Sequence, residues 1–196
     1  MAKVLDPPAT TPEETARADL QSLYRKICFS SAEQKVEILR GRVVIREVPT
    51  LDHNNVVFRL LLQLMSFVDS KKWVICNDIK IFLGAQLDRY RPDATVVPRS
   101  PRMWDPENVY GNQTLLVVEV VSPSSQDDDH VMKPKNCAIA GVPLYLVIDT
   151  FQNVARLMAE PSENGYQHQV EVTLGKPLPL PEPWDLTIDT GKLIEA

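Results

Sequence analysis

The sequence predicts an α/β (α+β) fold, with a mixed central β-sheet flanked by helices. Three observations carry that prediction. LLVVEVVS at residues 115–122 is a continuous apolar run of strand length, the mark of a strand covered on both faces. PLYLVID at 143–149 is a second such run, and the segment between them has room for one helix. A strand–helix–strand crossover of this kind makes its two strands parallel neighbours. The order helix, hairpin, helix and strands upstream then supplies helices to pack against the sheet.

Taken in order, residues 1–10 are rich in Pro, Thr and Ala and predict a mobile tail, leaving 11–196 as a single domain. Thr11, Pro12 and Glu14 read as N-cap, first-turn proline and acid at N3 of a helix reaching about Tyr24. QKVEILRGRVVIREV at 34–48 reads as a hairpin turning at Arg40-Gly41. Residues 52–68 place Val56, Leu60, Leu64 and Phe67 on one helical face, with Asp52 as cap. WVICNDIKIFL and YRPDATVVP read as two strands joined through a turn containing Gly84. Residues 97–113 read as a long polar loop. SPSSQDDD is a further loop, and 129–140 a helix with Pro134 in its first turn and Gly141 as its C-cap. VARLMAE, YQHQVEVTL and the proline-rich stretch after them read as a β-meander.

Three cysteines without a C-x-x-C pair argue against a disulfide framework or a structural zinc site and predict a reducing, cytoplasmic setting. No run approaches 18 apolar residues, so no membrane span is expected. A net charge of −5 argues against a non-specific nucleic-acid coat, which carries a basic face. It leaves room for a nuclease, whose clustered carboxylates lower the count.

The chemistry concentrates between Arg91 and Lys133. Glu119 lies in the middle of an apolar strand, and an unpaired ionised carboxylate there costs several kcal/mol. It calls for a metal, a cation or a raised pKa. Alternation puts Glu119 on one face with Val117 and Val121, while Val118, Val120 and Ser122 take the other. Asp93, at the end of a neighbouring strand, and the backbone carbonyl of Val120 complete three hard oxygen donors for Mg²⁺, with Mn²⁺ as substitute. Lys133 would hold the attacking water or offset developing charge. Taken singly, Asp93 also suits a turn after proline, Glu119 a structural ion pair, and Lys133 a solvated helix face.

RPDATVV, LLVVEVVSPSS, and Asp129 with Lys133 ahead of AIAGVPLYLVID resemble the Uma-two family of restriction-endonuclease-like proteins, within the PD-(D/E)XK nuclease superfamily. The likeness extends up to VEILRGRVV and the helix at His53. It implies a restriction-endonuclease-like fold, with Asp93 and Glu119 as the motif acids, and Lys133 as a lysine moved from the strand to the following helix. It further implies Glu37 as an acid completing a metal shell through water, and His53 as a residue at the head of the second helix. His53 equally suits a polar helix N-terminus. DNA as substrate and a homodimer follow from the same resemblance.

The departures are specific. Val121 stands where the superfamily's strand lysine would be, Cys137 and Leu146 replace aromatics, and Asp127-Asp128-Asp129 replaces a basic loop. Three acids beside a phosphate site repel a polyanion. Two readings result: a divalent-metal-dependent endonuclease, favoured by the retained Asp–Glu–Lys set, and a catalytically degraded nuclease fold serving as a binding or interaction module, favoured by the acidic loop.

Overall fold

The computed structural model describes residues 12–31, 34–84 and 87–195. The predicted tail and the Thr11 cap lie outside them. Helix α1 (Pro12–Ser30) runs past Tyr24 and packs on a hairpin of β1 (Lys35–Leu39) and β2 (Arg42–Arg46). Arg40 and Gly41 both take positive φ, 52° and 71°, as a two-residue turn of right-handed twist requires. Helix α2 (Leu51–Ser70) is capped by Thr50, whose Oγ1 accepts from the His53 amide, and the expected cap Asp52 sits in the first turn. Thr50 has the extended backbone a cap needs, so the helix starts a residue before the sequence suggests.

The stretch expected to give two strands gives four: β3 (Trp73–Cys76), β4 (Lys80–Phe82), β5 (Arg89–Tyr90) and β6 (Ala94–Pro98). Asp78, at φ 62°, bends the chain between β3 and β4, and Pro92, which has no N–H for a ladder, separates β5 from β6. The expected 97–113 loop contains a further short strand, β7 (Asn108–Tyr110). Then come β8 (Leu116–Val120), helix α3 (Lys133–Ile139), β9 (Leu144–Asp149), the long hairpin of β10 (Val154–Ser162) and β11 (Gly165–Thr173), and a ribbon of β12 (Pro177–Pro179) and β13 (Thr187–Asp189).

These strands form two sheets and the ribbon rather than one sheet. The central sheet has the order β11-β10-β9-β8-β6-β3 and is mixed, with β8 and β9 the parallel pair that the crossover predicts. The second has the order β2-β1-β5-β4-β7. Val56, Leu60, Leu64 and Val68 of α2 cover one face of the central sheet, meeting Val96, Val118, Val120 and Ile148. Val117, Val121, Tyr145 and Val147 point the other way, toward Cys137 of α3 and Leu39 and Ile81 of the second sheet. The alternation along β8 therefore buries Glu119 between the sheets, at 1% exposure.

The segment before α3 departs most from expectation. Asp128–Met132 is a π-helical turn running directly into α3, so Pro134 is in the first turn of α3, as expected, yet lies inside a continuous helical stretch. Proline offers no amide and crowds the carbonyl four residues back, and a widened turn upstream accommodates both. The helix ends as expected: Gly141 takes φ 77°, its amide donates to Ala138 O and that of Val142 to Cys137 O, both at 2.9 Å.

Trp184, 2% exposed, seals the far end of the α2 core, stacked on Phe67 at 5.6 Å and edge-on to Trp73 at 5.1 Å. Its truncation to Ala should cost about 3–5 kcal/mol. Urea unfolding followed by circular dichroism checks this, and a loss under about 1 kcal/mol would show that the ring is not part of the core.

Candidate active site

Four elements bring charge to one point. The first is the β1–β2 hairpin. Side chains alternate along β1, so Lys35 and Glu37 share a face, and register places Arg46 of β2 opposite Lys35. Glu119 comes from β8, and Asp93 from the turn just before β6. The π-turn and the start of α3 add Asp128, Asp129 and Lys133.

Lys133 is 1% exposed, and its Nζ lies 2.7 Å from Glu119 Oε1, 3.1 Å from Asp129 Oδ1 and 3.2 Å from Glu37 Oε2. Three carboxylates thus meet an ammonium that has three N–H groups. Glu37 is also held by Arg46 Nε at 3.1 Å and by the Arg91 amide at 2.9 Å. Burial disfavours its charged form, but Lys133, Lys35 and these donors prevail and bring its pKa down to about 2.

Asp93 is fixed through one oxygen. Its Oδ2 accepts from the Val120 amide at 2.8 Å and lies 3.1 Å from His53 Nε2. The same His53 nitrogen is 3.1 Å from the Val120 carbonyl. Two acceptors around Nε2 assign the proton to that nitrogen. Burial opposes a charged His53, yet the bond and the charge of Asp93 raise its pKa.

The remaining oxygens of the two motif acids meet at Lys35. Its Nζ is 3.0 Å from Asp93 Oδ1 and 3.3 Å from Glu119 Oε2. Each carboxylate thus gives one oxygen to a fixed protein donor and the other to this ammonium. Burial disfavours the charge on Lys35, but Glu119 and Asp93 outweigh it and raise its pKa. Glu119 carries the strain of the cluster: burial raises its pKa to about 8, with Asp93 and Asp129 adding to burial and Lys133 and Lys35 opposing it.

The structure therefore gathers all the residues singled out in the sequence: Asp93, Glu119, Lys133, Glu37, the Val120 carbonyl and His53. It adds Lys35, Arg46 and Asp129 as working members of the cluster. The first two were readable from hairpin alternation around Glu37. The i, i+4 spacing of Asp129 and Lys133 signalled the third. The acidic loop is less free than its composition suggests: Asp128 pairs with Arg46 at 2.6 Å, while Asp129 is buried, accepting from Ser125 Oγ and facing Lys133.

A cavity of about 380 Å³ opens onto this cluster, bounded by Lys35, His53, Asp93 and Glu119 below and by Val48 and Phe151 nearer its mouth. Among the described residues no three His, Cys, Asp or Glu side chains gather in an arrangement that could hold a metal ion. The donors that converge on Lys35 are two carboxylates, Asp93 and Glu119, while the Val120 carbonyl meets the other Asp93 oxygen at His53. This hard oxygen set suits Mg²⁺ in chemistry, and an ammonium bridging both acids marks a cation position.

The profile of the Uma2 family, described as "Putative restriction endonuclease", matches residues 21–190. Among solved structures, a chain from Anabaena variabilis ATCC 29413, titled as a putative nuclease belonging to DUF820, superposes with a TM-score of 0.64 at 14% identity. The match covers 81% of this chain and 88% of that one, and at such identity it shows a shared fold. Comparison with curated proteins gives no match. Among the described residues no helix is long and apolar enough to cross a membrane.

Two predictions test the electrostatics. Replacing Lys133 by Met leaves three buried carboxylates without their shared cation and should lower stability by about 3–5 kcal/mol in chemical denaturation. Wild-type stability there would mean that the carboxylates take up protons or rearrange at no cost. The second concerns pH. The folded state binds the Glu119 proton more tightly than the unfolded state, so this contribution is complete below pH 4.5 and fades as pH rises to about 8. Wild type should therefore lose stability relative to Glu119→Gln between about pH 5 and about pH 8. Parallel stability curves for the two proteins would exclude a raised Glu119.

Proposed function

Because this chain belongs to the Uma2 family, we propose that it is an endonuclease hydrolysing phosphodiester bonds in DNA with a divalent ion, Mg²⁺ or in its place Mn²⁺. The observation that carries this reading is the convergence of Asp93 Oδ1 and Glu119 Oε2, from two different segments, on one cation at the base of an open cavity. Asp93, Glu119 and the Val120 carbonyl would hold the ion. When bound, such an ion lowers the pKa of water and offsets charge on the phosphoryl group.

The chain's own residues do the positioning. Lys133 holds Glu119 and Glu37 together at one point, and its buried ammonium opposes the rise that burial gives the Glu119 pKa. His53 and the Val120 amide fix the far oxygen of Asp93, which leaves Oδ1 facing the cavity. Arg46 pairs with Asp128 and Lys133 with Asp129, so two of the three loop acids have cationic partners before a polyanion approaches. That pairing removes much of the repulsion that the sequence alone implies.

A second reading has one observation in its favour. Lys35 already supplies the cation between Asp93 and Glu119, as a site that had lost its metal and kept its fold for binding would require. Metal titration separates the two. Calorimetry with Mg²⁺ and Mn²⁺ should give binding to the wild type, and plasmid nicking should depend on the added ion. Asp93→Asn keeps an oxygen for the Val120 amide, so its fold should survive while nicking falls by about 10²–10³-fold. Nicking at wild-type rate in that variant would remove Asp93 from the reaction. Absence of binding at millimolar metal would transfer the case to the binding module.

A further inference from the structure

Lys133 and Lys35 both touch Glu119, but their settings differ. Lys133 is sealed at 1% side-chain exposure and faces carboxylates from β1, β8 and the π-turn. Lys35 is 14% exposed and stands where two cavities meet, the main one and a neighbour of about 180 Å³ reaching Asn77, Asp78 and Arg91. A lysine's four-carbon stem can carry its ammonium several ångströms without moving the strand. Lys35 has the room to move and Lys133 does not.

Charge gives a reason to move. Five carboxylates of the cluster, Glu37, Asp93, Glu119, Asp128 and Asp129, face three cationic side chains, Lys35, Arg46 and Lys133, with His53 beside Asp93. With Glu119 ionised, as metal ligation requires, the acids outnumber those three cations by two, and a divalent ion would offset that excess. The oxygens open to such an ion, Asp93 Oδ1 and Glu119 Oε2, are the two that Lys35 holds. Oxygen ligands of Mg²⁺ lie at about 2.1 Å, so the ion and the ammonium cannot share that position.

We propose that Lys35 is an exchangeable counter-ion: it holds Asp93 and Glu119 in register in the free protein, yields to the divalent ion, and then turns its ammonium to a phosphate oxygen of the substrate. The inference rests on the metal-dependent reading above and adds a substrate-facing cation that the sequence motifs do not contain. Lys133 keeps the carboxylates in place throughout, and Lys35 is the most exposed of the three cations that line the cavity, Lys35, Arg46 and Lys133.

The test is Mn²⁺ calorimetry on wild type and Lys35→Met, with single-turnover cleavage of a plasmid at saturating metal. Removing the competing charge should tighten Mn²⁺ binding by at least about tenfold. Removing the substrate-facing ammonium should slow cleavage by about 10²-fold. Acylation of Lys35 in the wild type, read by mass spectrometry, should increase when Mn²⁺ is added, and this arm does not depend on the variant folding. Unchanged or weaker metal binding in Lys35→Met, or acylation indifferent to Mn²⁺, overturns the exchange. Tighter binding with undiminished cleavage overturns the substrate-facing role. If neither protein binds Mn²⁺, the metal-dependent reading itself falls.

Discussion

One buried ammonium organises this molecule. Lys133 ties Glu37 of β1, Glu119 of β8 and Asp129 of the π-turn to a single point between the two sheets. Each of those carboxylates would be costly in its position without the others' shared cation. Isolated buried pairs are often no better than apolar packing, but removal of one partner is severe. The cluster thus acts less as a source of stability than as a constraint on geometry. The second sheet, the central sheet and the crossover helix are held in one arrangement because any other leaves a carboxylate buried without a cation.

The crossover helix meets that constraint through its irregular start. Asp129 and Lys133 are four residues apart and face each other across the π-turn. The extra residue per turn lets Pro134 follow Lys133 without the clash it would cause in a regular helix. It also lets Asp128 reach outward to Arg46 while Asp129, its immediate neighbour, faces inward. Adjacent residues of the chain therefore serve two different cations.

Much of this was legible in the sequence, and for physical reasons. The two apolar runs could only be covered strands, and a single helix between them dictated their parallel pairing. Glu119 stood out because an acid in such a run must have a partner, and the family pattern pointed to Asp93, Lys133, Glu37 and His53. The β3–β6 region was less legible. The β-rich runs on either side of Asn77-Asp78 and Arg91-Pro92 read as single strands, whereas a positive φ and a missing amide at these breakers divide the chain between two sheets. The acidic loop was misleading for a similar reason. Composition counts Asp128 and Asp129 as exposed repulsion, but their partners lie 82 residues upstream in Arg46 and one helical turn on in Lys133. Lys35 was accessible in principle, two residues before Glu37 on the same strand face. It drew no attention because a lone lysine at the start of a strand is ordinarily solvated.

In the proposed reading, Lys35 and Lys133 would divide the electrostatic work of the strand lysine in the pattern from which this chain departs at Val121. A lysine at that position would lie just past the end of β8, on the face of Glu119 now filled by Val121 against Cys137 and Tyr145. Giving that place to valine completes the apolar layer behind the site. The positive charge then enters from other elements: Lys133 from the helix behind Glu119, and Lys35 from the hairpin beside the cavity. One position is sealed and fixes the acids, and the other is open and can answer a ligand. Burial and the remaining partners separate the two lysines, which are chemically identical and share Glu119: Lys35 reaches Asp93, and Lys133 reaches Glu37 and Asp129.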